Sequence, residues 1–212
     1  MIVNDRQRRL FATALAAMAG FVDAVGFLSA HGYFVSFMSG NTTRLGVALG
    51  TAPRDALVPA LLICGFIIGV TGGALLSERA GTLRKPAVLG LVTLMLVGAS
   101  LARANDAEGI MIAALVLAMG ALNNTFQRNG EVTVGLTYMT GALVKLGMGL
   151  ARRIAGHRDS GWLSWAQLWA GLLAGAVLGA YLQDSLPLGC LWIASAWSTV
   201  MVAIAFRFPA EG

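Results

Sequence analysis

Long apolar runs separated by short polar stretches dominate the chain. Most of these runs approach the roughly 20 residues that a helix needs to cross the hydrocarbon core of a bilayer. We therefore predict an all-α polytopic membrane protein with six transmembrane helices, at residues 10–30, 56–76, 87–101, 109–126, 163–182 and 188–206.

Two further segments, at residues 31–50 and 128–153, have a different pattern. Each begins with a β-like stretch, continues through a hydroxyl residue followed by glycine, and ends in a short helical run. Neither is long enough to hold both a structured loop outside the membrane and a complete crossing. We predict that each is a re-entrant strand–half-helix element, which enters and leaves the bilayer on the same side.

These two elements match each other in sequence. Residues 38–40 (Met-Ser-Gly) match residues 139–141 (Met-Thr-Gly), and residues 44–46 (Arg-Leu-Gly) match residues 145–147 (Lys-Leu-Gly), both at a separation of 101 residues. Each half of the chain then holds three crossings, and an odd number of crossings inverts the second half relative to the first. The sequence therefore predicts a 3+3 inverted repeat, an arrangement typical of transporters and channels.

The predicted halves are residues 1–104 and 105–212. Glycine recurs at every fourth position in each half, over residues 65–73 and again over residues 171–179. Small residues at this spacing allow helix backbones to approach closely in a membrane. We expect these two glycine ridges to pack the halves against each other, and a homodimer face is the alternative.

Composition and charge narrow the class of protein. The chain is 57% hydrophobic and 12% charged, with a mean hydropathy of +0.74, which excludes a soluble domain and a disordered chain. The net charge of +5 does not indicate nucleic acid, because cytoplasmic loops of membrane proteins are rich in Lys and Arg. With six crossings and both termini cytoplasmic, one side holds Arg6, Arg8, Arg9, Arg79, Arg84, Lys85, Arg128, Arg152, Arg153, Arg158 and Arg207, and the other holds Arg54 and Arg103.

Residues 20–46, GFVDAVGFLSAHGYFVSFMSGNTTRLG, resemble the signature of the YoaK family of bacterial membrane proteins. That family typically carries G-x-x-D-a-x-G-F, then F-v-S-x-M-T-G-N, then a helix. Ser39 stands where the family usually has threonine, and it keeps the hydroxyl. The resemblance covers nearly the whole chain and implies a six-helix protein of the bacterial cytoplasmic (inner) membrane, but it hardly narrows the function.

The starts of the two predicted half-helices are the first candidate site. A helix N-terminus exposes unpaired N–H groups and the positive end of the helix dipole, which together bind anions. Ser39 and Thr140 are expected to be the N-cap residues, with or without a ligand. For a small anion held at the midplane between the two N-termini, the predicted binding residues are Ser39, Gly40, Asn41, Thr42, Arg44, Asn123, Asn124, Thr140, Gly141 and Lys145.

Asp23 is the second candidate, because a carboxylate in the middle of a spanning helix is costly and is by default functional. We expect it to couple transport to protons. The alternative is a buried structural ion pair with Arg44. In the second half the corresponding residues are Asn123 and Lys145, so one acid is lost while the base is kept.

The chain carries no phosphate-binding loop, no His-Glu-x-x-His motif and no metal-spaced Cys/His cluster, and Cys64 and Cys190 each lie in an apolar run. We therefore expect no metal, no cofactor and no enzymatic activity. The leading hypothesis is a secondary transporter for a small anionic solute. The alternatives are a passive channel for a small solute and a non-transport protein that binds lipid or a structural partner.

Overall fold

The computed structural model describes residues 6–128, 131–132, 135–157 and 161–208. Nearly all of this part of the chain is helical, which confirms the predicted all-α class. The eight α-helices of the described residues are α1 (Arg6–Ser29), α2 (Met38–Thr51), α3 (Leu57–Ala80), α4 (Arg84–Ala104), α5 (Glu108–Leu122), α6 (Met139–Ile154), α7 (Trp162–Ser185) and α8 (Cys190–Ala205).

Each of the six predicted apolar segments coincides with a helix: α1, α3, α4, α5, α7 or α8. Within the described residues, four helical runs are long and apolar enough to cross a membrane. One of them, Pro53–Ala104, contains both α3 and α4, while α8, with 16 residues, is apolar but shorter than these four runs. The other three runs are Arg6–Ser29, Glu108–Thr125 and Trp162–Ser185.

Helix α4 starts earlier than residue 87, where the sequence placed it. Its first turn contains Arg84, Lys85 and Pro86, which look like loop residues in the sequence. Proline is tolerated there because the first N–H groups of a helix have no partner within the helix. The turn that precedes α4 contains Gly81 at φ +53°, a conformation that favours glycine.

The predicted β-like stretches do not form long strands. Residues 30–37 consist of turns and bends, and α2 begins directly afterwards at Met38. In the second half, the described strands are the two-residue pieces Gln127–Arg128 and Glu131–Val132, which pair antiparallel. Residues 129–130 and 133–134 of this segment lie outside the described residues.

Helix α1 packs along α7, and the close approach depends on glycine. A methyl group at Gly175 would collide with the carbonyl of Ala17, and one at Gly179 would collide with the backbone of Phe21. Because both contact positions advance together along the chain, α1 and α7 run in the same direction. The second glycine ridge therefore packs the two halves of the chain together, as predicted.

Helix α3 packs along α5 in the same manner. A methyl group at Gly69 would collide with the carbonyl of Leu117, and one at Gly73 would collide with Ala121. The two helices again run in the same direction. The α4 and α8 pair is antiparallel, since Thr93 bonds Ser198 at 2.8 Å while Ser100 lies 3.3 Å from Ser195.

The helix ends gather into two groups. At the first, which we call the basic end, α1, α4 and α7 begin and α5 and α8 end. Here the ring of Phe11 lies 5.9 Å from that of Phe126 and 5.1 Å from that of Phe208, and Arg8 interacts electrostatically with Lys85. At the opposite end, the termini of α1, α4, α5 and α7 line a common cavity together with the loop that precedes α8.

Candidate functional site

The carboxylate of Asp23 holds the segment that leads into α2. Asp23 lies on α1 and is 6% exposed. Its Oδ1 accepts a hydrogen bond of 2.8 Å from the backbone N–H of Ser36, which is two residues before α2 begins. The Ser36 hydroxyl is also buried and has no hydrogen-bond partner in the structure. Asp23 therefore fixes where α2 starts relative to α1.

Asn123 holds the segment before α6 in the corresponding way. Its amide nitrogen lies 3.0 Å from the hydroxyl oxygen of Thr137, and its Oδ1 lies 3.5 Å from the Thr137 backbone nitrogen. Thr137 is two residues before α6 begins, as Ser36 is before α2. The two contacts occupy matched positions, since Asn123 follows Asp23 by 100 residues and Thr137 follows Ser36 by 101 residues.

A cavity of about 260 Å³ lies beside Asp23, between α1, α7 and the segment before α2. Its walls are apolar apart from the carboxylate. Two of its aromatic rings, those of Phe27 and Phe34, lie 4.9 Å apart, and Phe34 in turn lies 5.7 Å from Phe37. The lining residues are Gly20, Asp23, Ala24, Phe27, Leu28, Phe34, Phe37, Leu172, Ala176 and Ala180.

The second half fills the corresponding space with a side chain. Asn124, which matches Ala24 in the duplication, donates its amide to the carbonyl of Val70 at 2.9 Å and to that of Ala121 at 3.2 Å. Val70 matches Ala176, which lines the cavity in the first half. The cavity therefore depends on alanine at position 24, where the other half has asparagine.

The structure does not pair Asp23 with Arg44. Among the described residues, no cation lies within ion-pair distance of the Asp23 carboxylate. The guanidinium of Arg44 instead lies 4.7 Å from the ring centre of Tyr33, and the ammonium of Lys145 lies 4.3 Å from the ring centre of Trp165. Both cations are exposed, and each makes a cation–π contact.

The first turns of α2 and α6 correct the predicted N-caps. The N-cap residues are Phe37 and Tyr138, and neither helix has a side-chain hydrogen bond at its cap. Ser39 and Thr140 are instead the second residues of α2 and α6, and both are exposed. Aromatic rings that precede the two helices leave no room for a side chain at Gly40 and Gly141. A methyl group at Gly40 would meet Phe34, and one at Gly141 would meet Tyr138.

Asn41 has a structural partner rather than an open site. Its side chain is fully buried, donates to the carbonyl of Phe34 at 2.7 Å and accepts from the N–H of Phe34 at 3.1 Å. Thr42 is exposed and donates its hydroxyl to the carbonyl of Met38 within its own helix. No hydrogen bond, ion pair or ring contact joins α2 to α6 in the described chain, because α2 packs on α3 and α6 packs on α7.

A second, more polar cavity of about 570 Å³ lies at the end opposite the basic end, and the sequence did not reveal it. Its polar residues come from the ends of four different helices, so no local motif indicates that they meet. The two non-glycine residues with positive φ in the described chain, His31 and Asp106, both line it. The other polar residues in its wall are Ser29, Arg103, Glu108 and Gln183.

No cluster of three or more His, Cys, Asp or Glu side chains suited to a metal ion occurs in the described residues. Of the two cysteines, Cys64 is exposed on α3 and Cys190 is buried at the start of α8. The Cys190 sulfur lies 3.1 Å from the side-chain oxygen of Gln183. Both cysteines are free thiols.

A family model described as a protein of unknown function (DUF1275) matches residues 11–204. A similar protein is the UPF0700 transmembrane protein RA0705 of Rhizobium meliloti (strain 1021), 39% identical over 198 residues, 92% of this chain and 85% of that protein. Another is the UPF0700 transmembrane protein YoaK of Bacillus subtilis (strain 168), 31% identical over 147 residues, 66% of this chain and 65% of that protein. No solved structure matches the chain.

Proposed function

The chain belongs to the YoaK family of transmembrane proteins, described as DUF1275, and from this premise we propose that it is a secondary transporter for a small solute. The observation that carries the proposal is the repetition of one helix interface. The contact of Gly175 with Ala17 recurs as that of Gly69 with Leu117, at separations of 106 and 100 residues. Repeats of this kind, with interrupted helices at matched positions, are typical of secondary transporters.

The contact directions support an inverted relation between the halves. α1 and α5 are equivalent in the duplication, and the start of α1 meets the end of α5 where Phe11 contacts Phe126. The equivalent helices α4 and α8 also run in opposite directions. If α1, α3, α4, α5, α7 and α8 each cross the membrane, the chain alternates between its two sides. This alternation agrees with the two groups of helix ends in the structure.

The short helices α2 and α6 are the re-entrant elements of this proposal. They have 14 and 16 residues, about 21 and 24 Å of helix, whereas the hydrocarbon core is about 30 Å thick. Each follows a non-helical segment held by a polar side chain, Asp23 or Asn123. Irregular backbone survives at membrane depth only where protein or a water-filled cavity satisfies it, and these two contacts supply such partners.

We propose that the basic end faces the cytoplasm of a bacterium, across the inner membrane. It contains Arg8, Arg9 and Lys85, with Arg9 bonded to Ser164 at 3.5 Å, while the opposite end has Arg103 beside Asp106 and Glu108. The positive-inside rule assigns the arginine-rich end to the cytoplasm. Arg158 lies outside the described residues and carries no part of this assignment.

An anionic solute stays a prediction. It is supported by the uncapped N-termini of α2 and α6 and by the presence of Arg44 and Lys145 on these helices. A thermal-unfolding screen of purified protein against formate, phosphate and sulfate tests it. The anion hypothesis expects a stabilisation that is lost in Arg44→Ala and Lys145→Ala, and equal stabilisation of wild type and both variants contradicts it.

Uptake into proteoliposomes tests transport itself. Vesicles containing the protein are given a pool of small anionic, cationic and zwitterionic solutes with an imposed pH gradient, and retained solutes are identified by mass spectrometry. A secondary transporter accumulates one solute above its outside concentration while the gradient lasts. A channel equilibrates the solute without accumulating it, and uptake no greater than that of empty vesicles rejects both functions.

Asp23→Asn provides the coupling test in the same vesicles. If Asp23 couples transport to protons, this variant equilibrates solute but no longer accumulates it. Glu108→Gln is the matched control, because it removes a carboxylate from the other cavity and leaves α1 unchanged. Accumulation that survives in Asp23→Asn contradicts proton coupling through this residue while leaving transport in place.

A further inference from the structure

We propose that the cavity beside Asp23 binds a small organic cation, with its ammonium group against the carboxylate and its apolar part against the phenylalanine rings. This inference rests on the proposed transport function, and for the class of solute it proposes an organic cation in place of the anion predicted from the sequence. It begins from the charge of the site. Asp23 is 6% exposed on a membrane helix, and no cation of the described chain pairs with it.

While it is ionised, a carboxylate in such surroundings requires a partner, because burying an unpaired charge is very costly and the group otherwise takes up a proton. The Ser36 N–H donates to Oδ1, and a carboxylate with about four acceptor positions can take further hydrogen bonds. An ammonium group donates up to three hydrogen bonds, so one placed in the cavity can use the remaining accepting capacity of Asp23, the one charged side chain in the lining.

The cavity walls select an organic cation over a metal ion. Apart from Asp23, the lining offers no carboxylate, amide or hydroxyl side chain to replace the hydration shell of a metal. It does offer the rings of Phe27, Phe34 and Phe37, and faces of aromatic rings attract ammonium groups. A volume of about 260 Å³ exceeds the roughly 150 Å³ cavity that holds benzene, which suits a molecule with one ring or a short branched chain.

The duplication supplies an internal comparison. The second half has Asn123 in place of the carboxylate and Asn124 in place of Ala24, so it lacks both the charge and the space. The structural contact to the following segment is present in both halves. What is specific to the first half is therefore an anionic group next to an open apolar cavity, and this combination recognises an amphipathic cation.

The test is binding of three molecules of nearly equal shape: benzylamine, benzyl alcohol and benzoate. Purified full-length protein in nanodiscs of uncharged phosphatidylcholine is titrated with each at a pH at which benzylamine is protonated. Binding is followed by calorimetry and by the shift in unfolding temperature. We expect benzylamine to bind, and benzyl alcohol and benzoate to bind at least about tenfold more weakly, because they lack the charge-assisted hydrogen bond.

Two variants locate the site. Asp23→Asn keeps an acceptor for the Ser36 N–H, as Asn123 does for Thr137, and should weaken benzylamine binding at least about tenfold. Ala24→Asn introduces the side chain that fills the space in the second half, and should weaken it through loss of volume. Glu108→Gln, in the other cavity, should bind benzylamine as wild type does.

Three results overturn the inference: no benzylamine binding to folded wild type, equal binding of benzyl alcohol, or undiminished binding to Asp23→Asn. Tighter binding of benzoate than of benzylamine also overturns it and supports the anion hypothesis. Failure of the transport proposal is distinguishable, because benzylamine binding at Asp23 in a protein that takes up no solute of the pool into proteoliposomes leaves the site in place and rejects transport. Accumulation of another solute by a protein that does not bind benzylamine supports transport and rejects the cation site.

Discussion

Ser36 donates its backbone N–H to the carboxylate of Asp23 over 2.8 Å, and this bond ties the segment before α2 to the adjacent helix α1. Thr137 makes the corresponding contact with Asn123, where an amide replaces the carboxylate. The second half therefore achieves the same connection with a neutral side chain. Holding the backbone requires an acceptor oxygen, and the amide of Asn123 supplies one without a charge. The substitution Asp23→Asn therefore removes the charge while keeping the acceptor for the Ser36 N–H, so it tests the charge alone.

We expect Asp23→Asn to be close to wild type in stability and Asp23→Ala to be less stable. Asparagine keeps the acceptor, whereas alanine leaves the buried Ser36 N–H without a partner, a loss of about 1–3 kcal/mol. Thermal unfolding of both variants in the same detergent measures the difference. Equal destabilisation by the two substitutions would show that the charge, rather than the hydrogen bond, holds this segment in place.

Asn41 and its neighbour Thr42 should differ strongly in their contribution to stability. Asn41→Ala removes the side chain that pairs with both the N–H and the carbonyl of Phe34, so we expect a loss of about 1–3 kcal/mol. Thr42→Val changes an exposed hydroxyl bonded within its own helix, and should alter stability by no more than about 0.5 kcal/mol. Urea or thermal unfolding distinguishes the pair, and a larger effect at Thr42 is the contradicting outcome.

Two glycines of α3 provide a matched test of helix packing. A methyl group at Gly69 would collide with the carbonyl of Leu117, whereas one at Gly72 meets nothing within 4 Å. We expect Gly69→Ala to destabilise the protein by about 1–3 kcal/mol, because α3 and α5 must move apart. Gly72→Ala should be neutral or slightly stabilising, because alanine favours helix more than glycine does. Comparable loss in both variants would mean that α3 and α5 are not in close contact in the membrane.

The helices were predictable from sequence because long apolar runs and repeated glycines are local signals. Helix α7, predicted at 163–182, is found at Trp162–Ser185, and its glycine ridge packs on the other half as expected. The start of α4 was missed because Arg84 and Lys85 resemble loop residues, although a helix accepts charge in a first turn at the membrane surface. The stretch before α2 has strand-like composition, but its backbone is held by Asp23 and Asn41, and no neighbouring strand pairs with it among the described residues.

The candidate site was predictable only in part. The sequence singled out Asp23 and Asn123 because a polar residue within an apolar run is visible without a structure. Their partners were not predictable, because nearly every residue has a backbone N–H and the residue type at position 36 does not show that its N–H binds Asp23. Arg44 was matched to Asp23 by charge alone, but in the structure its guanidinium contacts the ring of Tyr33. The cavity beside Asp23 depends on Ala24 and Ala176, small residues that are indistinguishable from ordinary packing positions in the sequence.

Single-cysteine labelling tests the proposed six crossings and the re-entrant position of α2. In a background with Cys64 and Cys190 replaced by serine and alanine, we expect Asp106→Cys to react with a membrane-impermeant maleimide added to intact cells. His157→Cys and Thr82→Cys should react only after permeabilisation. The reason is that Thr82 follows α3, which returns the chain to the cytoplasmic side if α1 crosses and α2 does not.

Thr82 is the decisive position, because its side depends on whether α2 crosses, whereas His157 is cytoplasmic in the proposed topology and also in one in which α2 and α6 both cross. If α2 crossed the bilayer completely, α3 would end outside and Thr82→Cys would react in intact cells. That result would reject the re-entrant element and with it the inverted repeat. Cell integrity is checked with a cytoplasmic protein that carries a reactive cysteine. Labelling of Asp106 outside together with protection of Thr82 requires α4 to cross, and with the 24-residue helices α1 and α3 also crossing it leaves α2 re-entrant.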